Sequence, residues 1–74
     1  MVEMIPVDSA MIDSIGYEDL SSTMMIVFRN GHVYEFHLIP RSLFNDFLHS
    51  ESKGKYFMEK LKYSDYARRV TKRK

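Results

Sequence analysis

Cysteine is absent from this 74-residue chain, which removes disulfides, thiolate metal sites and thiol nucleophiles together and fits a reducing compartment such as the cytoplasm. Glycine occurs only as Gly16, Gly31 and Gly54, too scattered for a loop that cradles phosphate. Long apolar runs are missing as well. The longest, Met24 to Phe28, falls far short of the ~20 residues that a membrane-crossing helix needs. The N-terminal stretch carries Glu3, Pro6 and Asp8 where an export signal has a basic start and an unbroken apolar segment. The expectation is a cytoplasmic protein with no membrane association.

Basic residues are scarce in the first two thirds of the chain. Residues 1–51 hold only Arg29 and Arg41 against eight acids, a net −6. Residues 52–74 hold Lys53, Lys55, Lys60, Lys62, Arg68, Arg69, Lys72, Arg73 and Lys74 against Glu59 and Asp65, a net +7. The basic end can bind phosphate or be neutralised by the acidic half, and the sequence leaves both open. At this length one hydrophobic core must account for residues 1–74 as a single domain, with a basic C-terminal tail from about residue 68 to 74.

Thr23–Leu38 reads as two β-prone runs separated by Asn30-Gly31, a hairpin signal. A two-residue turn pairs Phe28 with Val33, Val27 with Tyr34 and Met25 with Phe36. It gives one face to Met25, Val27, Tyr34, Phe36 and Leu38, expected to be core. The other face receives Met24, Ile26, Phe28 and Val33 beside Glu35 and His37. The imperfectly alternating Met11–Tyr17 adds a first strand. From Pro40, which suits a first helical turn, Leu43, Phe44, Phe47 and Leu48 recur at helical spacing. A second helix, capped by Ser52, carries Tyr56, Phe57 and Leu61 inward. The expected fold is α+β: a three-stranded antiparallel meander in order 1-2-3 packed on two helices. A short helical turn near 64–69 and a frayed end at Lys72–Lys74 follow.

No residue pattern points to catalysis. The serines lie in no strand-turn-helix elbow, and Glu18-Asp19 sits in a turn with no cleft to make it an acid–base pair. His32, His37 and His49 show neither the helical nor the strand pair spacing of a metal site. The expectation is a non-enzyme without metal, cofactor or small-molecule substrate.

The order of signals nevertheless resembles a family. Val7-x-Ser9-Ala10-x-Ile12-x-x-Ile15-Gly16-Tyr17, then Phe28-x-x-Gly31-x-x-Tyr34-x-Phe36, Ile39-Pro40 and Ser52-x-Gly54-x-Tyr56-Phe57 are together similar to the KTSC domain, over residues 7 to 63. That family takes its name from the C-terminus of some lysyl-tRNA synthetases and also occurs as small bacterial and phage proteins. Its central Tyr-x-Tyr stands here as Tyr34-Glu35-Phe36, which keeps packing and stacking but drops one hydroxyl. Its frequent Asn after Tyr-Phe is Met58.

The resemblance and the +7 segment together imply a non-catalytic module that binds RNA or tRNA. Lys53, Lys55, Lys60, Lys62, Arg68 and Arg69 would meet phosphate, and Tyr56 or Tyr63 would stack on bases. The alternative is a protein-interaction or homodimerisation module using Met24, Ile26, Phe28 and Val33.

Overall fold

The hairpin that decides which residues face inward turns more widely than a two-residue loop. Gly31 N donates to Phe28 O at 3.0 Å and Phe28 N donates to His32 O at 2.8 Å, so Arg29, Asn30 and Gly31 form a three-residue loop. Gly31 takes the left-handed conformation at φ +92°, as a type I turn closed by a glycine bulge requires. Asn30 needs no positive φ, and its Oδ1 accepts from His32 N at 3.0 Å. The pairing therefore moves by one residue: Val27 opposes Val33, Ile26 opposes Tyr34, Met25 opposes Glu35 and Met24 opposes Phe36.

A one-residue slip exchanges the two faces of the first hairpin strand. Met24, Ile26 and Phe28, expected on the second face, are buried in the core with Phe36 beside them. Met25 and Val27, expected in the core, are half-buried on the opposite face with Val33, and Leu38 is exposed.

The computed structural model describes residues 3–62, 65–66 and 70–73. Five strands form one antiparallel sheet in chain order, not the three expected: β1 (Met4–Pro6), β2 (Ile12–Glu18), β3 (Thr23–Phe28), β4 (Val33–Phe36) and β5 (Val70–Arg73). The Met4–Val7 segment extends the sheet beside β2, with Pro6 on an outer strand, where a missing donor does no harm. Residues 70–73, expected to lie in a fraying tail, pair with β4. Of the helical turn expected at 64–69, Asp65 and Tyr66 lie in a 3₁₀ turn, and residues 64 and 67–69 are outside the described set, as is Lys74.

The uneven alternation of β2 has a structural cause. The register shifts between Ile12 opposite Phe28 and Ser14 opposite Val27. This bulge at Asp13 lets Ile12 and Ile15, three positions apart, both reach the core, where both are fully buried.

The helices cover that same face. Pro40 precedes α1 (Arg41–Leu48) with φ −63° and accepts through its carbonyl from Leu43 N and Phe44 N, while Phe44 and Phe47 point inward. Ser52 Oγ caps α2 (Lys53–Tyr56), accepting from Lys55 N at 3.2 Å. The chain then runs directly into a π-helical turn, Phe57–Leu61, closed by Lys62 N donating to Phe57 O at 2.8 Å. Phe57 and Leu61 complete a core made with Ile39, Phe44 and Phe47. Fully burying one such side chain stabilises a domain by ~1.5–3 kcal/mol.

The arginines of the acidic half are used locally. Arg29 donates to the carbonyls of Ser9 and Val7 and pairs with Asp13 at 3.4 Å, and Arg41 pairs with Asp19 at 2.8 Å. Both pairs are solvent-exposed, so each is worth at most about 1 kcal/mol.

A candidate aromatic cleft

The helices seal the core face of the sheet at the β2–β3 end and leave it partly open at the β3–β4 hairpin. Phe28, Tyr34 and Phe36 come from the inward positions of β3 and β4, and the π-helical turn lays Phe57 across them. Phe28 meets Tyr34 edge-on with ring centroids 4.8 Å apart, and Phe57 approaches Phe28 at 5.1 Å and Tyr34 at 6.1 Å. Between these rings, Met11, Met58 and Val70 lies a cleft of about 290 Å³. Such T-shaped and tilted contacts fix the rings without filling the space between them.

The rim is polar. Asn30 and His32 come from the hairpin loop, Lys62 from the end of the π-helical turn and Lys72 from β5. Lys72 stands opposite Tyr34 in the sheet, and its Nζ lies 5.3 Å from the Tyr34 ring centroid, a cation–π contact worth ~0.5–1 kcal/mol at an exposed site. No acid is found among the described residues that line the cleft. The arrangement suits a flat, apolar body that carries negative charge or hydrogen-bond acceptors at its edge.

The residues singled out in the sequence are only partly brought together. Lys62 reaches the rim, while Lys55 and Lys60 are exposed on the same helical segment. Lys53 is half-buried and donates through Nζ to Ser50 O at 2.7 Å, closing the α1–α2 connection. Tyr56 packs its ring on Phe47, centroids 5.2 Å apart. Burial, with the negative charge of Asp46 and then Tyr66, raises its phenol above the ordinary 10.0. It serves the α1–α2 contact instead of presenting a free ring face. Tyr63, Arg68 and Arg69 lie outside the described residues. Of the proposed interaction face, Met24, Ile26 and Phe28 are core residues and Val33 lies on the opposite side, so the four form no common surface. Phe28 belongs to the cleft instead.

The histidines lie apart: His37 Nε2 meets Thr71 Oγ1 at 2.8 Å, His49 Nδ1 meets Asn45 O at 2.8 Å, and His32 is at the cleft mouth. The described residues contain no cluster of three or more potential metal ligands. None of their helices is long and apolar enough to cross a membrane.

Sequence reasoning missed Lys72, Asn30 and His32 as rim residues. For Lys72 the signal was present: Val70-Thr71 is β-prone, and an alternating strand there puts Val70 and Lys72 on one face.

The family motif Tyr34-x-Phe36 and Phe57 of the Tyr-Phe pair thus meet in one place, and the sequence matches the KTSC domain over residues 8–66. The chain belongs to the KTSC domain family. A KTSC domain protein from Yersinia pestis, known from its crystal structure, is similar over 100% of this chain and 97% of its own, with a TM-score of 0.83 and 29% sequence identity. A protein of Tsukamurella paurometabola is 32% identical over 53 residues, which covers 72% of this KTSC chain and 79% of the relative.

Proposed function

We propose that this KTSC domain is a small non-catalytic binding module that takes an unpaired base of RNA into the aromatic cleft, with Lys62 and Lys72 engaging the flanking phosphates. The observation that carries the reading is the coincidence of four aromatic rings, two lysines and no described acid around one cleft of about 290 Å³. Base–aromatic stacking tolerates any sequence, because every base has a π-face, and lysines add a salt-dependent attraction to phosphate. Lys55 and Lys60 extend the positive surface along the adjoining helix. His32 is the single imidazole among the described lining residues and has no carboxylate there to orient it, which favours binding over acid–base chemistry.

Titration of short single-stranded RNA, followed by amide chemical shifts at several salt concentrations, tests this. The cleft residues are expected to shift together. Replacing both Lys62 and Lys72 with Ala should lessen the slope of log affinity against log salt by about 1.4, since each phosphate contact on a single strand contributes roughly 0.7. Wild-type protein that shows no salt-sensitive binding at low ionic strength would overturn the proposal.

A second reading, self-association, is favoured by a different observation. Leu20 is 98% exposed and Leu38 65% exposed, and Ile39 N donates to Ser22 O at 2.8 Å, which holds the two loops together at one end of the sheet. Leu38 adopts φ +57°, a left-handed conformation that a bulky side chain resists. These two leucines replace Met24, Ile26, Phe28 and Val33 as the apolar surface that a second copy would meet. Sedimentation across the micromolar range should show a dimer that the Leu20→Ser, Leu38→Ser variant abolishes; a monomer throughout would sink this reading.

A further inference from the structure

The rim of the cleft is built from hydrogen-bond donors, and one of them has a fixed direction. Asn30 Oδ1 accepts the backbone N–H of His32 at 3.0 Å, so the amide orientation follows from its partner: oxygen turned toward the chain, NH₂ on the other side. Asn30 lines the cleft with Lys62 and Lys72, and both ammonium groups are donors only. A base seated among the rings therefore meets donors from three directions. Uracil and guanine answer them with carbonyl oxygens. Cytosine and adenine carry an exocyclic amino group at the corresponding edge, which would set donor against donor.

We infer that the cleft selects keto bases, uracil over cytosine and guanine over adenine, through the Asn30 side-chain amide. The inference rests on the reading of the cleft as a nucleobase site. Its scale is that of one hydrogen bond gained against one donor left unpaired, roughly three- to tenfold in affinity.

Uracil and cytosine hexanucleotides of RNA provide the comparison, because the two bases match in size and differ at the edge the amide would read. Both are titrated into the full chain at low salt and mildly alkaline pH, where cytosine and His32 are neutral. The wild type should prefer the uracil hexamer by roughly three- to tenfold. Asn30→Asp keeps a side-chain oxygen for His32 N, so the hairpin loop persists, but replaces the NH₂ donor with an acceptor and should reverse the preference. The ratio between oligonucleotides is the readout, because the new carboxylate repels phosphate equally in both. Equal binding of both hexamers by the wild type, or an unchanged ratio in Asn30→Asp, overturns the keto preference while the cleft remains a base site. No binding of either hexamer overturns the base-site reading itself, and this inference with it.

Discussion

Tyr17 and Tyr34 occupy comparable positions at opposite ends of one sheet face, and the chain treats them differently. Each is half-buried, and each has a cation over its ring, Arg41 at 5.5 Å from Tyr17 and Lys72 at 5.3 Å from Tyr34. Around Tyr17 everything is closed. Its hydroxyl donates to Ile39 O, its ring stacks on Phe44 at 5.2 Å, and Arg41 is held by Asp19. Around Tyr34 the same ingredients border open space, because the π-helical turn brings Phe57 over the rings and stops there. The same cation-and-ring arrangement finishes a core at one end and edges a cleft at the other. What separates structure from function here is whether a helix covers the ring, more than which residues are present.

The comparison can be broken most severely at the closed end. Phe44→Ala removes the ring that Tyr17 stacks on and opens the core beneath α1. It should cost about 3–5 kcal/mol, enough to leave much of a small domain unfolded in a urea titration followed by circular dichroism. At the open end, Tyr34→Ala should weaken binding of single-stranded RNA by about 1–3 kcal/mol through lost stacking, with a smaller loss of stability than Phe44→Ala, as titration and unfolding of the same sample would show.

Gly31→Ala sharpens the point about register. A Cβ there meets nothing within 4 Å, so the cost is conformational, roughly 1–2 kcal/mol for a left-handed residue, read as a lower urea midpoint. The paired hydroxyl deletions are finer. Tyr17→Phe should destabilise by about 1 kcal/mol, the net worth of one internal hydrogen bond, whereas Tyr34→Phe should leave the midpoint nearly unchanged. Smallest is the titration of Tyr56. Its folded value is raised above 10.0, chiefly by burial, so the neutral phenol favours the folded state. That contribution is complete below the ordinary value and is lost as pH rises through the raised one. Phenolate absorbance should show one late-titrating tyrosine that Tyr56→Phe removes, and the variant should lose less stability than wild type under alkaline conditions.

The helices were legible because Phe44, Phe47, Phe57 and Leu61 repeat at helical spacing and Ser52 marks a start. The hairpin was legible as a hairpin, yet Asn30-Gly31 serves two loops equally well. Asn and Gly can both take positive φ in a two-residue turn, or Gly31 alone can close a three-residue one. Nothing local separates them, and the choice inverts every side chain of β3. Ile12 and Ile15 concealed the bulge for a related reason, since a pattern of period two has no place for an extra residue. β1 and β5 are too short for any pattern to register. Half of the cleft was therefore readable, Tyr34, Phe36 and Lys62, while Phe28 was assigned to the wrong face. Lys72 joins it only through pairing across the sheet with a distant strand.

The π-helical turn at Phe57–Leu61 makes segment length a variable in its own right. Taking one residue out of it would restore α-helical winding and rotate all that follows by about 100°. The inward side of the turn would still be apolar, but Lys62 would swing off the rim and the chain would set out for β5 from a different bearing. A one-residue deletion there would thus recast the lip of the binding surface without touching any residue that contacts the guest.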